Sequence, residues 1–327
     1  MTKVTNIRFI PLAAESLGVR SMCTYVETPD IKVLIDPGVS LGKRFRLLPH
    51  PKEYKAIERC RTNISCFASK AEIVAISHYH FDHMTPAYTD YIWNFSNVKV
   101  AKQIYNDKLI LAKDTRASIN PSQRRRGWIF KKTMEKHFKQ FRTADGQTFV
   151  FGKTKLQFSK PVFHGEHNTP LGWTLMLTIE YETERVTHAS DVQGPILDET
   201  LNTILDNHPQ LVYVSGPPLY LMDYTVKRKV IKRGLKNLTK LVDNVPTVIL
   251  DHHLLRAENW KQHAQKAYKK AQTSEHEILT AAEFLHKPNN LLEYRRTHLY
   301  DAEKPSKSFI QWTRLPTPTR KTLIPPT

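Results

Sequence analysis

The sequence predicts an α/β sandwich whose functional site lies along one edge. Short apolar runs rich in β-branched residues, such as Lys32–Ile35 and Ile73–Ile76, alternate with longer segments of helical period. Four of the predicted strands end directly in histidine or aspartate. Because two packed sheets bring several strand ends to one edge, this repeated placement predicts both the sandwich and a shared site at that edge.

The most informative stretch is His78-Tyr79-His80-Phe81-Asp82-His83, which directly follows the predicted strand at Ile73–Ile76. His78 and His80 are two residues apart, so on an extended segment their imidazoles lie on the same side. Asp82 and His83 follow where the chain is expected to turn, and can face a neighbouring point. Imidazole and carboxylate are preferred ligands of Zn²⁺ and of other borderline divalent ions. The spacing therefore predicts two adjacent metal positions served by one loop.

This stretch resembles the H-x-H-x-D-H signature of the metallo-β-lactamase superfamily. Asp36-Pro37-Gly38, which closes an earlier apolar strand, is similar to the D-x-G element of that superfamily. The flanking run Asp191-Val192-Gln193-Gly194-Pro195 resembles an uncharacterised, mainly archaeal branch of these hydrolases. The resemblance extends from about residue 7 to about residue 260. It implies an αββα sandwich of two mixed sheets flanked by helices, with a binuclear metal centre, but it carries no known substrate.

The resemblance also implies which residues hold the metals. The first ion would be bound by His78, His80 and His164, the second by Asp82, His83 and His252, and Asp191 would bridge them.

Two positions in this set have rivals. His253 adjoins His252, but Arg256 follows His252 by four residues, as in the H-x-x-x-R step of transfer-RNA-processing relatives. This spacing favours His252 as the ligand and His253 as a supporting group or proton donor. His167 competes with His164 but lies beyond the expected strand end, which favours a loop histidine.

Chemistry follows from the two ions, for which Zn²⁺ is preferred and Mn²⁺ or Fe²⁺ are alternatives. Two metals about 3.5–4 Å apart can share a hydroxide whose pKa is near 7 and can polarise the attacked phosphoryl or carbonyl oxygen. Asp82 can also orient that hydroxide. His253 or His188 can protonate a leaving alkoxide, because imidazole titrates near neutral pH. The alternative for each of these two is a packed histidine at a strand end.

The elements are predicted in chain order. Strands at residues 7–12, 23–27 and 32–35 precede a helix that runs from Pro51 to about residue 71. After the metal-binding loop, Thr85-Pro86 predicts a helix start and residues 98–101 predict a strand, whereas residues 102–143 have the least regular pattern. Asp145-Gly146 predicts a hairpin turn before a strand at 147–151. Further strands are predicted at residues 156–158, 162–163, 173–180, 185–188, 211–214 and 248–250.

The end of the chain changes in composition. Residues 256–286 predict one or two lysine-rich helices, and the hydrolase domain is predicted to span residues 1–304. Residues 305–327 contain five prolines, basic residues and few large apolar side chains. This composition predicts an extended, poorly packed tail.

The chain has 327 residues, 49 Lys and Arg against 31 Asp and Glu, and a formal net charge of +18. Such an imbalance favours polyanionic partners, here RNA or DNA, although a generally basic composition is the alternative. Within the irregular region, Arg124, Arg125, Arg126 and Trp128 can neutralise phosphates and stack bases. The alternative is a solvated basic helix with its aromatic side chains packed inward. Arg256 is also a candidate substrate contact.

Cellular context follows from the cysteines and the apolar runs. The three cysteines, at positions 23, 60 and 66, are scattered and odd in number, which favours reduced thiols. The N-terminal residues lack the apolar core of a signal peptide, and no apolar run approaches the length of a spanning helix. We therefore expect a cytoplasmic protein with no membrane partner. The pattern predicts no particular oligomeric state.

Three functions remain open from the sequence. The first is a phosphodiesterase or nuclease, which should have a positive surface leading to the metals. The second is a hydrolase of a small ester, lactone or thioester, which should have an enclosed, partly apolar pocket. The third is a nucleic-acid-binding protein with a vestigial site. The complete ligand set argues against the third.

Overall fold

Two mixed β-sheets pack face to face, and helices cover the outer surface of each sheet. The structure, a computed structural model, describes residues 4–327. The first sheet contains six strands in chain order, of which the first three are antiparallel and the rest parallel. These strands are β1 (Arg8–Pro11), β2 (Thr24–Glu27), β3 (Lys32–Ile35), β4 (Ile73–Ile76), β5 (Leu109–Ala112) and β6 (Gln140–Thr143).

The second half of the chain supplies the other strands. They are β7 (Thr148–Phe151), β8 (Thr154–Phe158), β9 (Val162–Phe163), β10 (Trp173–Thr174), β11 (Leu177–Tyr181), β12 (Glu184–Ala189), β13 (Leu211–Ser215), β14 (Thr247–Asp251) and β15 (Glu277–Leu279). The second sheet has the order β15-β14-β13-β12-β11-β8-β7, while β9 and β10 form a separate antiparallel pair. From β12 to β15 the strands are parallel, so their carboxyl ends lie at one edge.

Within residues 4–327, ten α-helices surround the sheets. They are α1 (Pro51–Ala68), α2 (Val98–Tyr105), α3 (Pro121–Met134), α4 (Asp198–Leu205), α5 (Arg228–Asn244), α6 (Trp260–Thr273), α7 (Ala281–Phe284), α8 (Arg296–Ala302), α9 (Lys307–Arg314) and α10 (Thr317–Thr322).

Alternation along the strands divides the core into layers. In β3, Val33 and Ile35 face the interior between the sheets, whereas Leu34 faces the core beneath α1. In β14, Ile249 faces the same interior, and its two neighbours face the core beneath α5 and α6. Since side chains alternate along a strand and both faces are buried here, these strands are continuous apolar runs. The predicted αββα layering is therefore confirmed.

Most predicted strands and the helix from Pro51 are confirmed, but the region after the metal-binding loop differs. The predicted helix from Thr85-Pro86 is absent. Residues 85–97 instead contain turns and an isolated bridge. The predicted strand at 98–101 is instead the start of α2, because the Asn97 side chain caps the backbone N–H of Val100. The supposedly irregular region at 102–143 contains β5, α3 and β6.

Asp145-Gly146 does not close a hairpin. The strands on either side of it, β6 and β7, belong to different sheets, so this turn carries the chain from one sheet to the other. The expected hairpin is one strand later, between β7 and β8. The predicted helical region at 256–286 contains α6 and α7 with β15 between them.

The prediction of an extended, poorly packed tail at 305–327 is wrong. This segment forms α9 and α10, and Phe309 and Trp312 are buried against Tyr54 of α1. Ser306 caps α9 by accepting from the backbone N–H of Phe309. Two aromatic side chains in an otherwise basic stretch are enough to dock it, because each one buries a large apolar area. In the described part of the chain, no helix combines the length and apolar character that crossing a membrane requires.

Candidate metal centre

Five strand ends deliver ligand-type side chains to one edge of the sandwich. Asp36 follows β3, the histidine-rich loop follows β4, His164 follows β9, Asp191 lies just beyond β12, and His252 follows β14. Parallel neighbours end at the same edge, so β3 and β4 in one sheet and β12 to β14 in the other converge there. The structure thus brings together all seven residues predicted as metal ligands.

One group of ligand atoms comprises His78, His80, His164 and Asp191, all within 4.8 Å of one another. Oδ2 of Asp191 lies 2.8 Å from Nε2 of His164 and 3.4 Å from Nε2 of His78. Nδ1 of His80 lies 3.0 Å from Nε2 of His78. Three imidazoles and one carboxylate at this spacing match the ligand count of a four-coordinate divalent ion.

A second group lies beside the first and contains Asp82, His83 and His252. Nε2 of His252 lies 3.5 Å from Oδ2 of Asp82 and 3.3 Å from Oδ1 of Asp191. Nε2 of His83 lies 3.2 Å from Oδ2 of Asp191. Oδ2 of Asp191 faces the first group and His83, whereas Oδ1 faces His252, so the carboxylate lies between the two groups, where a bridging ligand would need to be.

His253 lies at the edge of the second group. Its Nε2 is 3.6 Å from Oδ1 of Asp191, and its Nδ1 is 3.1 Å from Nη1 of Arg256. A guanidinium only donates, so Nδ1 accepts and the proton of the neutral ring lies on Nε2, the atom that faces the centre. This arrangement agrees with His253 as a proton donor beside His252, and that assignment stays a prediction.

Buried polar atoms without hydrogen-bond partners indicate that these residues fit divalent metal ions. Buried polar atoms in proteins almost always have hydrogen-bond partners, and leaving them without one is costly. Across residues 4–327, four buried atoms of this centre have none, namely His83 Nε2, His164 Nε2, His253 Nε2 and Asp191 Oδ1. All four belong to side chains that face the same space, where a cation would satisfy His83 Nε2, His164 Nε2 and Asp191 Oδ1.

The electrostatics of His78, His252 and Asp191 also suit metal binding. Burial lowers the pKa of His78 to about 4, with a further contribution from His83. Burial likewise holds the pKa of His252 well below its usual value. Burial alone would raise the pKa of Asp191, but His83 and the other surrounding imidazoles hold it well below its usual range. Neutral imidazole and ionised carboxylate are the forms that coordinate metals.

Asp36 holds the histidine-rich loop after β4 in place through hydrogen bonds. Its carboxylate accepts from the backbone N–H of Ser77 at 2.8 Å and from the hydroxyl of Ser190 at 2.8 Å, and it faces Nδ1 of His83. Burial would raise the pKa of Asp36, but the hydrogen bond from His83 lowers it to about 2. Gly38 permits the loop to pass close by, because a Cβ there would overlap the backbone of His83 and Met84.

Three residues of the centre have left-handed backbone conformations, with φ of 47° at Asp36, 49° at Asp191 and 64° at His252. Non-glycine residues rarely adopt this region, and those that do cluster at functional sites.

Arg256 lies behind the ligands. It is 2% exposed, donates to Oε2 of Glu15 at 2.8 Å and to the hydroxyl of Tyr220 at 3.1 Å, and its Nη2 lies 3.2 Å from the ring nitrogens of His252. At this depth the guanidinium orients the two adjacent histidines and does not reach solvent. Glu15 and Tyr220 were not among the predicted site residues, although Glu15 begins the polar loop at residues 15–21.

Two other predicted histidines lie elsewhere. His188 is buried, its Nε2 is 2.8 Å from the carbonyl oxygen of Met22, and its ring packs on Tyr213. His188 therefore has the environment of a packed strand-end histidine, which is the alternative to a proton donor. His167 has a side chain that is 57% exposed, beside Glu199, as expected of a loop histidine.

The basic run at 122–132 forms α3, and its arginines point in two directions. Arg124, Arg125 and the exposed Trp128 line a surface groove of about 970 Å³, together with Lys131 and Lys132. Arg126 faces away from this groove and lies over the ring of Phe81, 4.6 Å from its centroid, at the mouth of the metal centre. The predicted inward packing of aromatics holds for Phe130 but not for Trp128.

Comparisons with known proteins agree with this geometry. The chain is 42% identical to a UPF0282 protein of Methanopyrus kandleri over 298 residues, which cover 91% of this chain and 100% of that protein. It is 40% identical to a UPF0282 protein of Thermococcus sibiricus, with 91% of this chain and 95% of that one covered. No protein-family model matches the chain.

Among solved structures, the metallo-β-lactamase fold protein YhfI of Bacillus subtilis superimposes with a TM-score of 0.51 at 13% identity, over 88% of this chain and 99% of that one. The fold is therefore the metallo-β-lactamase fold. The predicted resemblance to archaeal proteins is confirmed by these UPF0282 relatives, and the predicted fold by YhfI.

Proposed function

The chain belongs to the UPF0282 family, and we propose that it is a binuclear metal-dependent hydrolase of phosphodiester bonds in nucleic acid. The observation that carries the proposal is the convergence of two adjacent ligand groups that share Asp191, with four buried atoms that lack partners among residues 4–327. The complete set of ligand side chains argues against a vestigial site.

In this proposal His78, His80 and His164 hold one divalent ion, Asp82, His83 and His252 hold the other, and Asp191 contacts both. Zn²⁺ fits a donor set of imidazoles and carboxylates, with Mn²⁺ or Fe²⁺ as alternatives. Two such ions, when bound, activate water as a nucleophile and polarise the attacked oxygen.

The protein's own residues prepare the site for this chemistry. The Asp36 carboxylate accepts from Nδ1 of His83, which leaves Nε2 of that ring as the lone-pair donor. Asp82 is partly exposed at the mouth, where its carboxylate can orient the attacking water as well as bind metal. His253 holds its proton on Nε2, facing the centre, and from there can protonate a leaving alkoxide.

The surroundings of the site favour an anionic substrate. Arg126 and Lys321 line the mouth beside His80 and Asp82, and Arg125, the neighbour of Arg126 on α3, lines the separate basic groove. A nucleic-acid strand on such a surface is bound more tightly because its phosphates release counterions and its bases can stack on Trp128. A neutral lactone or thioester would make no use of these cations, so a small-ester hydrolase is the weaker candidate.

The test begins with elemental analysis of the purified full-length protein and a substrate panel of bis-phosphodiester, single-stranded RNA and DNA, and lactone. We expect about two transition-type ions per chain and hydrolysis of the phosphodiesters. His80→Ala and Asp191→Ala should each reduce hydrolysis more than about 100-fold, since even outer partners of metal ligands cost 10–100-fold. His167→Ala, which removes an exposed histidine outside the centre, is the matched control.

Two results would overturn the proposal. One is the absence of tightly held ions in protein that is folded by circular dichroism. The other is turnover of the lactone with no cleavage of any phosphodiester. Wild-type rates in His80→Ala or Asp191→Ala after chelation and metal add-back would instead reject the ligand assignment.

A further inference from the structure

The C-terminal segment reaches the mouth of the metal centre. Lys321, near the end of α10, lines a cavity of about 410 Å³ together with His80 and Asp82. Its backbone carbonyl accepts from the N–H of Tyr91 at 2.9 Å. The preceding α9 is anchored by Phe309 and Trp312 in the core. The position of Lys321 is therefore held by the packing of α9 on one side and by the hydrogen bond from Tyr91 on the other.

Three cations line this mouth, but only two are available to a ligand. Arg20 donates to both carboxylate oxygens of Glu293 at 2.6 Å, so its charge is already paired. Arg126 and Lys321 have no carboxylate oxygen within 4.0 Å in the part of the chain that the structure describes. Arg126 is half-buried, and its only protein acceptor there is the carbonyl oxygen of Tyr79 at 3.4 Å.

The two acidic side chains at the mouth are occupied. Asp82 belongs to the second ligand group. Asp90 accepts from the backbone N–H groups of Ile92 and Trp93, at 3.1 Å each, and from the side-chain amide of Asn94 at 3.0 Å. Neither carboxylate competes with an incoming anion for Arg126 or Lys321.

We propose that Arg126 and Lys321 form an anion-binding subsite that holds a phosphate group adjacent to the scissile one. This inference rests on the proposed phosphodiesterase function. The guanidinium offers a planar fork and the ammonium a mobile point charge, and both are suited to phosphate oxygens. A cavity of about 410 Å³ is within the size range of small-molecule sites, so it can accept a nucleotide beside the metals. The C-terminal segment thereby becomes a determinant of substrate selection.

The test compares dinucleotides whose linkage is a non-hydrolysable phosphonate, with a 5′-phosphate, with a 3′-phosphate and with neither. Calorimetric titration of the metal-loaded full-length protein gives the affinity for each. We expect one terminal phosphate to strengthen binding by about tenfold, as charge-assisted hydrogen bonds do. Lys321→Gln and Arg126→Gln should each remove most of that preference. Lys307→Gln, which removes an exposed cation of the same segment outside the cavity, should keep it.

Each outcome decides a separate point. Equal affinity of the wild type for all three dinucleotides, or an equal preference in Lys321→Gln and Lys307→Gln, overturns the subsite. A preference that disappears in Lys321→Gln supports it. If that pattern is found but the wild type hydrolyses no phosphodiester, the subsite stands and the proposed catalytic function fails. Both glutamine substitutions are at the surface of the cavity, so the fold should be retained. A thermal melt of each variant checks this.

Discussion

Nδ1 of His83 lies 2.9 Å from Oδ2 of Asp36, and both side chains are fully buried. The pair connects the end of β3 to the loop that follows β4, and it points Nε2 of the histidine at the metal centre. The carboxylate fixes both the tautomer and the orientation of the ring. Asp36 is therefore a positioning residue that acts through His83.

Asp36→Asn should weaken metal binding by about 10–100-fold, the usual effect of removing a carboxylate behind a ligating histidine. Asparagine tolerates the left-handed backbone at this position, so the fold should persist. Competition with a chromogenic chelator measures the affinity. Asp206→Asn, an exposed carboxylate outside the centre, is the control. An unchanged affinity in Asp36→Asn would remove the residue from the metal site.

Arg256→Gln should lower the free energy of unfolding by about 3–5 kcal/mol, because it leaves Glu15 buried without its cation. Burial raises the pKa of Glu15 to about 7 even though Arg256 opposes this shift. Adding Glu15→Gln to Arg256→Gln should restore much of the stability, since no lone buried charge remains. Urea denaturation measures both variants.

Hydrolysis should not recover in that double variant. His252 and His253 still lack the guanidinium that orients them, so the rate should stay low while stability returns. Lys229→Gln, which changes an exposed lysine on α5 outside the centre and the groove, controls for the loss of a positive charge. If activity and stability recover together, Arg256 serves only to balance Glu15.

Arg124→Ala combined with Arg125→Ala should reduce single-stranded nucleic-acid affinity and its salt dependence. Each phosphate contact contributes about 0.7 to the slope of log affinity against log salt, so the slope should fall by about 1.4. Arg126 is excluded from this pair because it lies at the mouth of the metal centre. Lys229→Ala with Lys236→Ala, two exposed cations on α5, is the matched control. An unchanged slope would remove the groove from the binding surface.

Trp128→Ala should weaken the same binding by about 1–3 kcal/mol through lost base stacking, without changing the salt slope. The side chain is 57% exposed, so the fold should tolerate the change. Fluorescence anisotropy at several salt concentrations separates this effect from the loss of charge. Equal affinities for Trp128→Ala and the wild type would assign the groove to phosphate contacts alone.

Glu293→Gln should lower the free energy of unfolding by about 3 kcal/mol at neutral pH, because it breaks the buried pairs with Arg20 and Arg44. Burial would raise the pKa of Glu293, but Arg20 holds it below its usual range in the folded state. A lowered folded pKa gives stability that is present above the unfolded value and is lost as pH falls. The difference between wild type and variant should therefore shrink below about pH 4. A difference that is constant from pH 7 to pH 3 would contradict this origin.

Local chemistry made much of the centre predictable. The ligand types and their spacing from His78 to His83 indicate metal binding because few other uses require four such residues at a strand exit. The apolar runs before His78 and His252 predict strands, because a short β-branched run that is buried on both faces is typical of a strand inside a layered fold. The order of these strands then places their ends along one edge.

Sequence patterns failed where distant packing decides. Residues 98–101 begin α2 rather than the predicted strand because Asn97 caps the helix and its buried face, with Ala101 and Ile104, packs into the core. Asp145-Gly146 has the composition of a hairpin turn, yet it joins two sheets because the strands beside it find partners elsewhere. Neither pattern contains information about the neighbours that the strands will choose.

The sequence by itself determined the layered fold, the ligand types and the order in which the ligands arrive, since these depend on residues close together in the chain. Only the tertiary structure decided that Arg256 pairs with Glu15 behind the histidines, that Arg126 and Arg125 face different cavities, and that Lys321 returns to the mouth. The physical reason is that burial and charge pairing are properties of neighbours in space. Residues 241 positions apart in sequence become a buried ion pair only after both sheets have closed.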